Sequence, residues 1–374
     1  TGPDGSYELA APAGTGYIVR AQAPNGTFFL LQYWSNKTQA SEADIVATDT
    51  NAPAENINFN LQLGGRIEGT VYEPDGSTPL IHTWGFVEAQ TTNDISDFAG
   101  GDDIDQDDGT YGFTVAPGIY HLRAEADGWP DQYYDGVPES QQDLATPVTV
   151  EVSQVTSGID FTMLVPSYIE GNVADDFGPV SGMQVQVSYV SDTNNWWTSW
   201  VGQGNSDASG DYSVEVPPGT NYIVSTQPND GSVYPQEYWS NATVVQDATL
   251  VVVTNNMTLS GIDFSLELGT RIEGQVRNEL GDPMESVMVD AHRFATNGSN
   301  IWGGGDETDG DGNYGIVVPA GTGYFVRAYR PWSVSDEDWW YPETFYSNKF
   351  SEPACDHIKA DAGSTVSNVD FDLA

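Results

Sequence analysis

An all-β protein, made of tandem antiparallel β-sandwich domains of Ig-like or prealbumin-like type arranged as beads on a string, is what this sequence predicts. Three observations lead there. A set of short motifs returns about every hundred residues, and such a period marks a chain built from copies of one unit. Apolar and polar residues alternate with period two in Tyr111 to Val115, Val148 to Val152, Gln184 to Val190 and Tyr222 to Ser225, as half-buried strands require. Glycine and proline punctuate these runs at intervals that suit an antiparallel sandwich, and no stretch carries a helical apolar stripe.

The repeat is defined first by Arg66-Ile67-Glu68-Gly69-Thr70-Val71, which returns as Tyr168-Ile169-Glu170-Gly171-Asn172-Val173 and Arg271-Ile272-Glu273-Gly274-Gln275-Val276, a period of 102 and then 103 residues. Four further landmarks keep the phase. A Gly-x-Tyr turn ends at Tyr7, Tyr111, Tyr212 and Tyr314, and a Pro/Gly turn feeds the strands holding Tyr17, Tyr120, Tyr222 and Tyr324. An aromatic loop contains Tyr33-Trp34, Tyr133-Tyr134, Tyr238-Trp239 and Phe345-Tyr346, and a closing motif ends at Phe59, Phe161, Phe264 and Phe371. The late landmarks occur four times and the opening motif three times. Four units follow: 1–64, 65–166, 167–269 and 270–374, the first without roughly 36 residues of its front.

Composition excludes several functions. A formal charge of -44, from 55 acidic against 11 basic residues, repels phosphate and rules out nucleic acid as a partner. The same surface suits solubility, or life in brine or a cation-rich matrix. No apolar run approaches the length of a membrane helix, so membrane insertion is not expected. Thr1 is not preceded by Met or by a leader, so the chain reads as a processed product or a fragment. Cys355 is the single cysteine, which excludes an internal disulfide framework and leaves a buried small hydrophobe or an interchain thiol.

Taken together, the I-x-G-x-V strand (Ile67, Gly69, Val71), the turn before Tyr111, the P-x-G-x-Y strand, the aromatic loop and the closing Ser157 to Phe161 resemble the carboxypeptidase regulatory-like repeats, relatives of Cna B-type and transthyretin-like sandwiches. The resemblance covers nearly the whole chain. It implies sandwiches of about seven strands that act as spacer, stalk or adhesion modules of secreted proteins, and it implies no catalysis. Some Cna B-type domains form a Lys–Asn isopeptide bond. No lysine lies between Lys37 and Lys349, so the second and third units cannot form one, and Lys349 and Lys359 do not match the usual first-strand position.

Candidate sites are few. Asp105 and Asp107, with Asp306, Asp309 and Asp311, lie in Gly-rich acidic turns that could offer oxygen ligands to calcium, although no Glu stands at the bidentate position. Asx-rich hairpin turns account for the same residues. Trp196, Trp197 and Trp200, with Trp339 and Trp340, form aromatic clusters that fit either a subunit interface or stacking on sugar rings. Glycosylation sequons stand at Asn25, Asn36, Asn241, Asn256 and Asn297. His82, His121, His292 and His357 are not spaced as metal pairs, and neither a nucleophile elbow nor a phosphate loop is present.

The sequence therefore predicts a non-enzymatic, extracellular or cell-surface structural protein without a cofactor. A sandwich missing its first strands exposes core and unpaired edges, so copies of the chain are expected to complete one another head to tail as a homopolymeric fibre. The other reading is a carbohydrate-binding or adhesin array within a larger secreted protein.

Overall fold

Alternation dictates strands, and the computed structural model contains strands joined by turns, with helix among the described residues confined to 3-10 segments of three to six residues. It describes residues 1–49, 53–91, 94–194, 196–228, 232–294, 298, 300–329 and 342–373. The chain falls into two compact units, Thr1–Val165 and Pro166–Ala374. Among the described residues no helix is long and apolar enough to cross a membrane.

One plan recurs from residue 65 onward. The opening strands, Gly65–Tyr72, Ser167–Asp175 and Thr270–Asn278, pair antiparallel with the tyrosine strands Thr110–Val115, Asp211–Val216 and Asn313–Val318. On their other side they pair in parallel with the short closing strands that contain Phe161, Phe264 and Phe371. In the second sheet a long strand (Gly118–Ala126, Gly219–Gln227 or Gly321–Tyr329) pairs with an inner strand (Gly85–Thr91, Gln184–Asp192 or Met288–Phe294). The inner strand in turn pairs with an edge strand (Asp94–Asp103, Trp197–Asn205 or Asn300–Glu307).

Each pair of sheets encloses its own core. Ile67, Val71, Phe161 and Met163 are fully buried in one cluster, Ile169, Val173, Val214 and Tyr222 in a second, and Ile272, Val276, Tyr324 and Phe371 in a third. Every such side chain contributes about 1.5–3 kcal/mol on leaving water.

The motif glycine of the opening strand has a steric cause. A Cβ on Gly69, Gly171 or Gly274 would sit 1.9, 2.0 or 2.1 Å from the carbonyl oxygen of Ile159, Ile262 or Val369. Only glycine lets the closing strand approach so closely. That approach is held by two recurring hydrogen bonds. Tyr111, Tyr212 and Tyr314 donate their hydroxyls to those same three carbonyls, at 2.6, 2.5 and 2.5 Å. Asp160, Asp263 and Asp370 accept the backbone N–H of the residue after the glycine, each at 2.9 Å.

Residues 1–64 hold only the later part of this plan. Gly14–Tyr17 pairs with Val46–Thr48, and Arg20–Ala21 with Gln32–Tyr33. Counterparts of the opening, inner and edge strands are not present among their described residues. Gly64 donates its N–H to Phe28 O (2.7 Å), and in the same phase of the repeat Gly269 donates to Val233 O (2.9 Å). Pro166 occupies that phase between the other two and has no N–H to donate.

Candidate functional site

The open face of residues 1–64 is built from the tyrosine segment and the closing segment, which elsewhere flank an opening strand. Tyr7 donates its hydroxyl to Ile57 O, the same bond that the other three tyrosines make, and its ring lies 6.3 Å from that of Phe59. Between these segments the opening strand has no counterpart in the described chain. Its apolar lining shows in consequence: Leu9 is 68% exposed, whereas Phe113, Val214 and Ile316 at the same phase are 7%, 0% and 1% exposed. Tyr7, Phe59 and Val19 are also partly or largely exposed where their counterparts are buried. The sequence signal for this face was the missing opening motif.

A second recurring feature escaped sequence reading. Phe98, Trp200 and Trp302 are spaced at exactly one repeat each and occupy the same place on the three edge strands, opposite Gln90, Ser188 and His292 and next to a register shift. They are 58%, 62% and 49% exposed. Trp200 thus has counterparts in two other units, one of which is Phe. Trp197 is exposed and Trp196 half-buried with φ 54°. Trp339 and Trp340 lie outside the described residues.

The acidic turns spend their carboxylates on their own backbone. Asp105 accepts the N–H of Asp107 (2.8 Å), while Asp309 accepts those of Asp311 (3.0 Å) and Asn313 (2.8 Å). Asp306 accepts Gly315 N–H at 2.7 Å and ties the edge strand to the tyrosine strand. Backbone hydrogen bonds, led by that of Asn313, hold the Asp309 carboxyl below its ordinary pKa. The Asp105 turn borders an acidic surface hollow of about 630 Å³ beside Glu68, Asp103 and Asp160, and the corresponding turn of the third repeat, with Asp207 and Asp211, borders one of about 520 Å³ beside Glu170 and Asp263. Among the described residues no group of three or more His, Cys, Asp or Glu is placed to hold a metal.

Of the sequons, Asn25, Asn36, Asn241 and Asn256 are exposed. Asn36 and Asn241 share left-handed backbone, φ 58° and 57°, with Asn348 in the same loop, and Asn348 there bonds Asp372 through both side-chain atoms. A turn residue tolerant of positive φ explains their recurrence. Asn297 lies outside the described residues. The aromatic loop itself anchors to the core: Tyr134 packs edge-on to Phe161 at 6.0 Å and Tyr346 on Phe371 at 6.4 Å. Cys355 is a free thiol, half-buried, and burial together with Glu352 and Asp356 raises its pKa.

Polar side chains on the outer face of the second sheet form ion clusters. Arg123 meets Glu88 (3.3 Å), Glu125 (3.3 Å), Glu139 (2.9 Å) and Asp131. Arg327, two long strands later in the same phase, meets Asp290 (3.1 Å) and Glu343 (2.5 Å).

No family model matches the chain, and no curated protein matches it. Solved structures do. The TIE protein of Bacillus anthracis shares 11% identity over 97% of this chain and 68% of its own, with a TM-score of 0.24. A minor pilin of Streptococcus agalactiae shares 12% over 55% of this chain and 96% of its own, TM-score 0.35. The major pilin subunit of Bacillus cereus shares 9% over 83% and 99%, TM-score 0.19. At such scores and identities function has to be argued from the residues of this chain. The class that the fold defines is a tandem antiparallel β-sandwich protein.

Proposed function

We propose that the chain is a non-enzymatic subunit of an extracellular or cell-surface stalk or fibre, with copies joined head to tail at the open face of the first repeat. The observation that carries this reading is the exposure of Leu9, Tyr7 and Phe59 along a face whose three counterparts are closed by a strand. An exposed apolar face favours covering by another polypeptide. The iterated sandwiches add length without adding a catalytic constellation, which suits a spacer. The carboxypeptidase regulatory-like resemblance points the same way, and the four repeat units 1–64, 65–166, 167–269 and 270–374 are the natural building blocks. Electron microscopy of the purified chain at high concentration, in low and high salt, tests it. Filaments are expected; strict monomers under every condition overturn it.

A second reading is supported by one observation of its own. The exposed aromatics Phe98, Trp200 and Trp302 recur at one position of the edge strand, as expected for stacking platforms of a carbohydrate-binding array. Glycan binding by the native chain that disappears in Trp200→Ala favours it over the fibre. Calcium at the Asp105/Asp107 or Asp306/Asp309/Asp311 turns belongs to neither reading; the carboxylates of Asp105, Asp306 and Asp309 each accept a backbone N–H.

A further inference from the structure

We infer that the third repeat binds a neutral polysaccharide chain on the outer face of its second sheet, with Trp200 as the stacking platform and the amides and hydroxyls beside it as partners for sugar hydroxyls. This rests on the carbohydrate-binding reading above and confines it to one repeat and one class of glycan.

Strand register sets the face. Val185, Val187 and Val224 belong to the core of the third repeat, so the residues that alternate with them on the same strands face outward. Residues directly opposite one another in an antiparallel pair share a face. Trp200, Ser188 and Ile223 therefore stand in one row across the edge, inner and long strands. The next row holds Gln203, Gln186 and Ser225, and the one after it Asn205, Gln184 and Gln227.

None of these side chains ionises, in a chain with 55 acidic and 11 basic residues. The same place on the other sandwiches is charged. Where the third repeat has Gln186 and Ser225, the second has Glu88 and Arg123, paired at 3.3 Å, and the fourth has Asp290 and Arg327, paired at 3.1 Å. Where the third has the exposed amide of Gln203, the others have Gly101 and Gly305 and no side chain.

Two of the amides are held in place by their neighbours. Gln186 donates a side-chain N–H to Ser188 Oγ at 3.0 Å, and Gln227 donates one to Ser225 Oγ at 3.1 Å. A primary amide has a second N–H and a carbonyl oxygen, so each glutamine still offers a donor and an acceptor to a ligand hydroxyl. Trp200 is 62% exposed, and Trp197, within roughly 10 Å along the same strand, supplies a second ring for a further sugar of the same chain.

The chemistry selects the ligand. Indole stacks on the C–H face of a pyranose ring without any need of charge. An anionic glycan is repelled by a net charge of -44. A protein partner would call for an apolar centre, which this face lacks, since Ile223 is only 2% exposed. An open sheet face suits an extended chain; a single sugar calls for a concave pocket.

Affinity electrophoresis of the full chain through gels containing mannan, mixed-linkage glucan, galactan or dextran tests this, with alginate as the anionic comparison. At least one neutral polymer is expected to retard the chain, and its free monosaccharide in excess is expected not to compete. Trp200→Ala and Gln203→Ala, both at exposed positions, should each weaken binding at least about fivefold, and Trp302→Ala less than about twofold. Retardation by alginate alone overturns the neutral class. Equal losses in Trp200→Ala and Trp302→Ala overturn the placement on the third repeat and leave the array reading standing, whereas no retardation by any polymer overturns both. Self-association lost in Trp200→Ala by sedimentation velocity, with retardation unchanged, assigns the ring to a protein contact and overturns the inference.

Discussion

Glu237 occupies in the third repeat the buried position that Gln132 fills in the second. Gln132 donates its side-chain N–H to Thr162 O at 3.0 Å, on the closing strand. The corresponding carbonyl in the third repeat belongs to Ser265, and a carboxyl can donate to it only when protonated. Burial first, and the nearby Glu267 second, push the Glu237 pKa up from 4.5 to about 7, and its Oε1 is buried without a partner.

Stability of the third repeat is accordingly predicted to fall as pH rises. A carboxyl whose pKa is raised on folding contributes fully below its unfolded value, near 4.5, and that contribution is lost as pH climbs to and through about 7. Glu237→Gln should flatten this dependence and stabilise the repeat at pH 8 by on the order of 2 kcal/mol, with little effect at pH 4. Amide exchange in residues 219–227 across pH 4–8 checks it, and parallel curves for the two proteins would show the carboxyl to be inert.

Gly171→Ala is expected to cost about 3 kcal/mol or more, because the new Cβ would meet Ile262 O at 2.0 Å and must drive the closing strand away. Gly261→Ala, in the turn just before that strand at φ 84° with open space around it, should cost only about 1 kcal/mol of backbone strain. Denaturant titration of the two variants side by side measures the difference. Equal losses would mean that the motif glycine serves the backbone conformation and not the close approach.

Arg123→Met leaves Glu88, Glu125, Asp131 and Glu139 facing one another without their cation. A loss of about 2–4 kcal/mol is predicted at pH 7. It should shrink as pH falls and the carboxyls protonate, beginning with Asp131, whose pKa burial raises against the pull of Arg123. Urea titrations at pH 7 and pH 4 decide this, and a loss that is the same at both would assign the effect to packing.

Trp200→Ala and Trp302→Ala should change stability by less than about 0.5 kcal/mol each, since both rings stand largely in solvent on edge strands. Thermal melts test that directly. A large loss would instead place the rings in an intramolecular role.

Much of the fold was legible because iteration amplifies weak signals. The glycine of Ile67-x-Gly69-x-Val71 says little alone, yet three copies in phase marked one repeated unit, and the aromatic loop kept the same phase. Trp200 and Trp302 show the limit. Their spacing was in the sequence, but Phe98 broke the identity, and register opposite Gln90, Ser188 and His292 is set by long-range pairing that local pattern cannot supply. The acidic turns show the same limit, since Asp105 and Asp309 look the same on paper whether they face a cation or their own backbone N–H groups.

The sequence by itself determined the repeat, its period, its strand-rich character and its strongly negative charge, because composition and periodicity are local or additive properties. Only the tertiary structure decided that the Tyr7 bond to Ile57 stands ready without an intervening strand, and that Gln132 and Glu237 point inward beneath the closing strand. Both depend on which distant segments lie within a few ångströms of each other, and Tyr7 and Ile57 are 50 residues apart in the chain and Gln132 and Thr162 are 30.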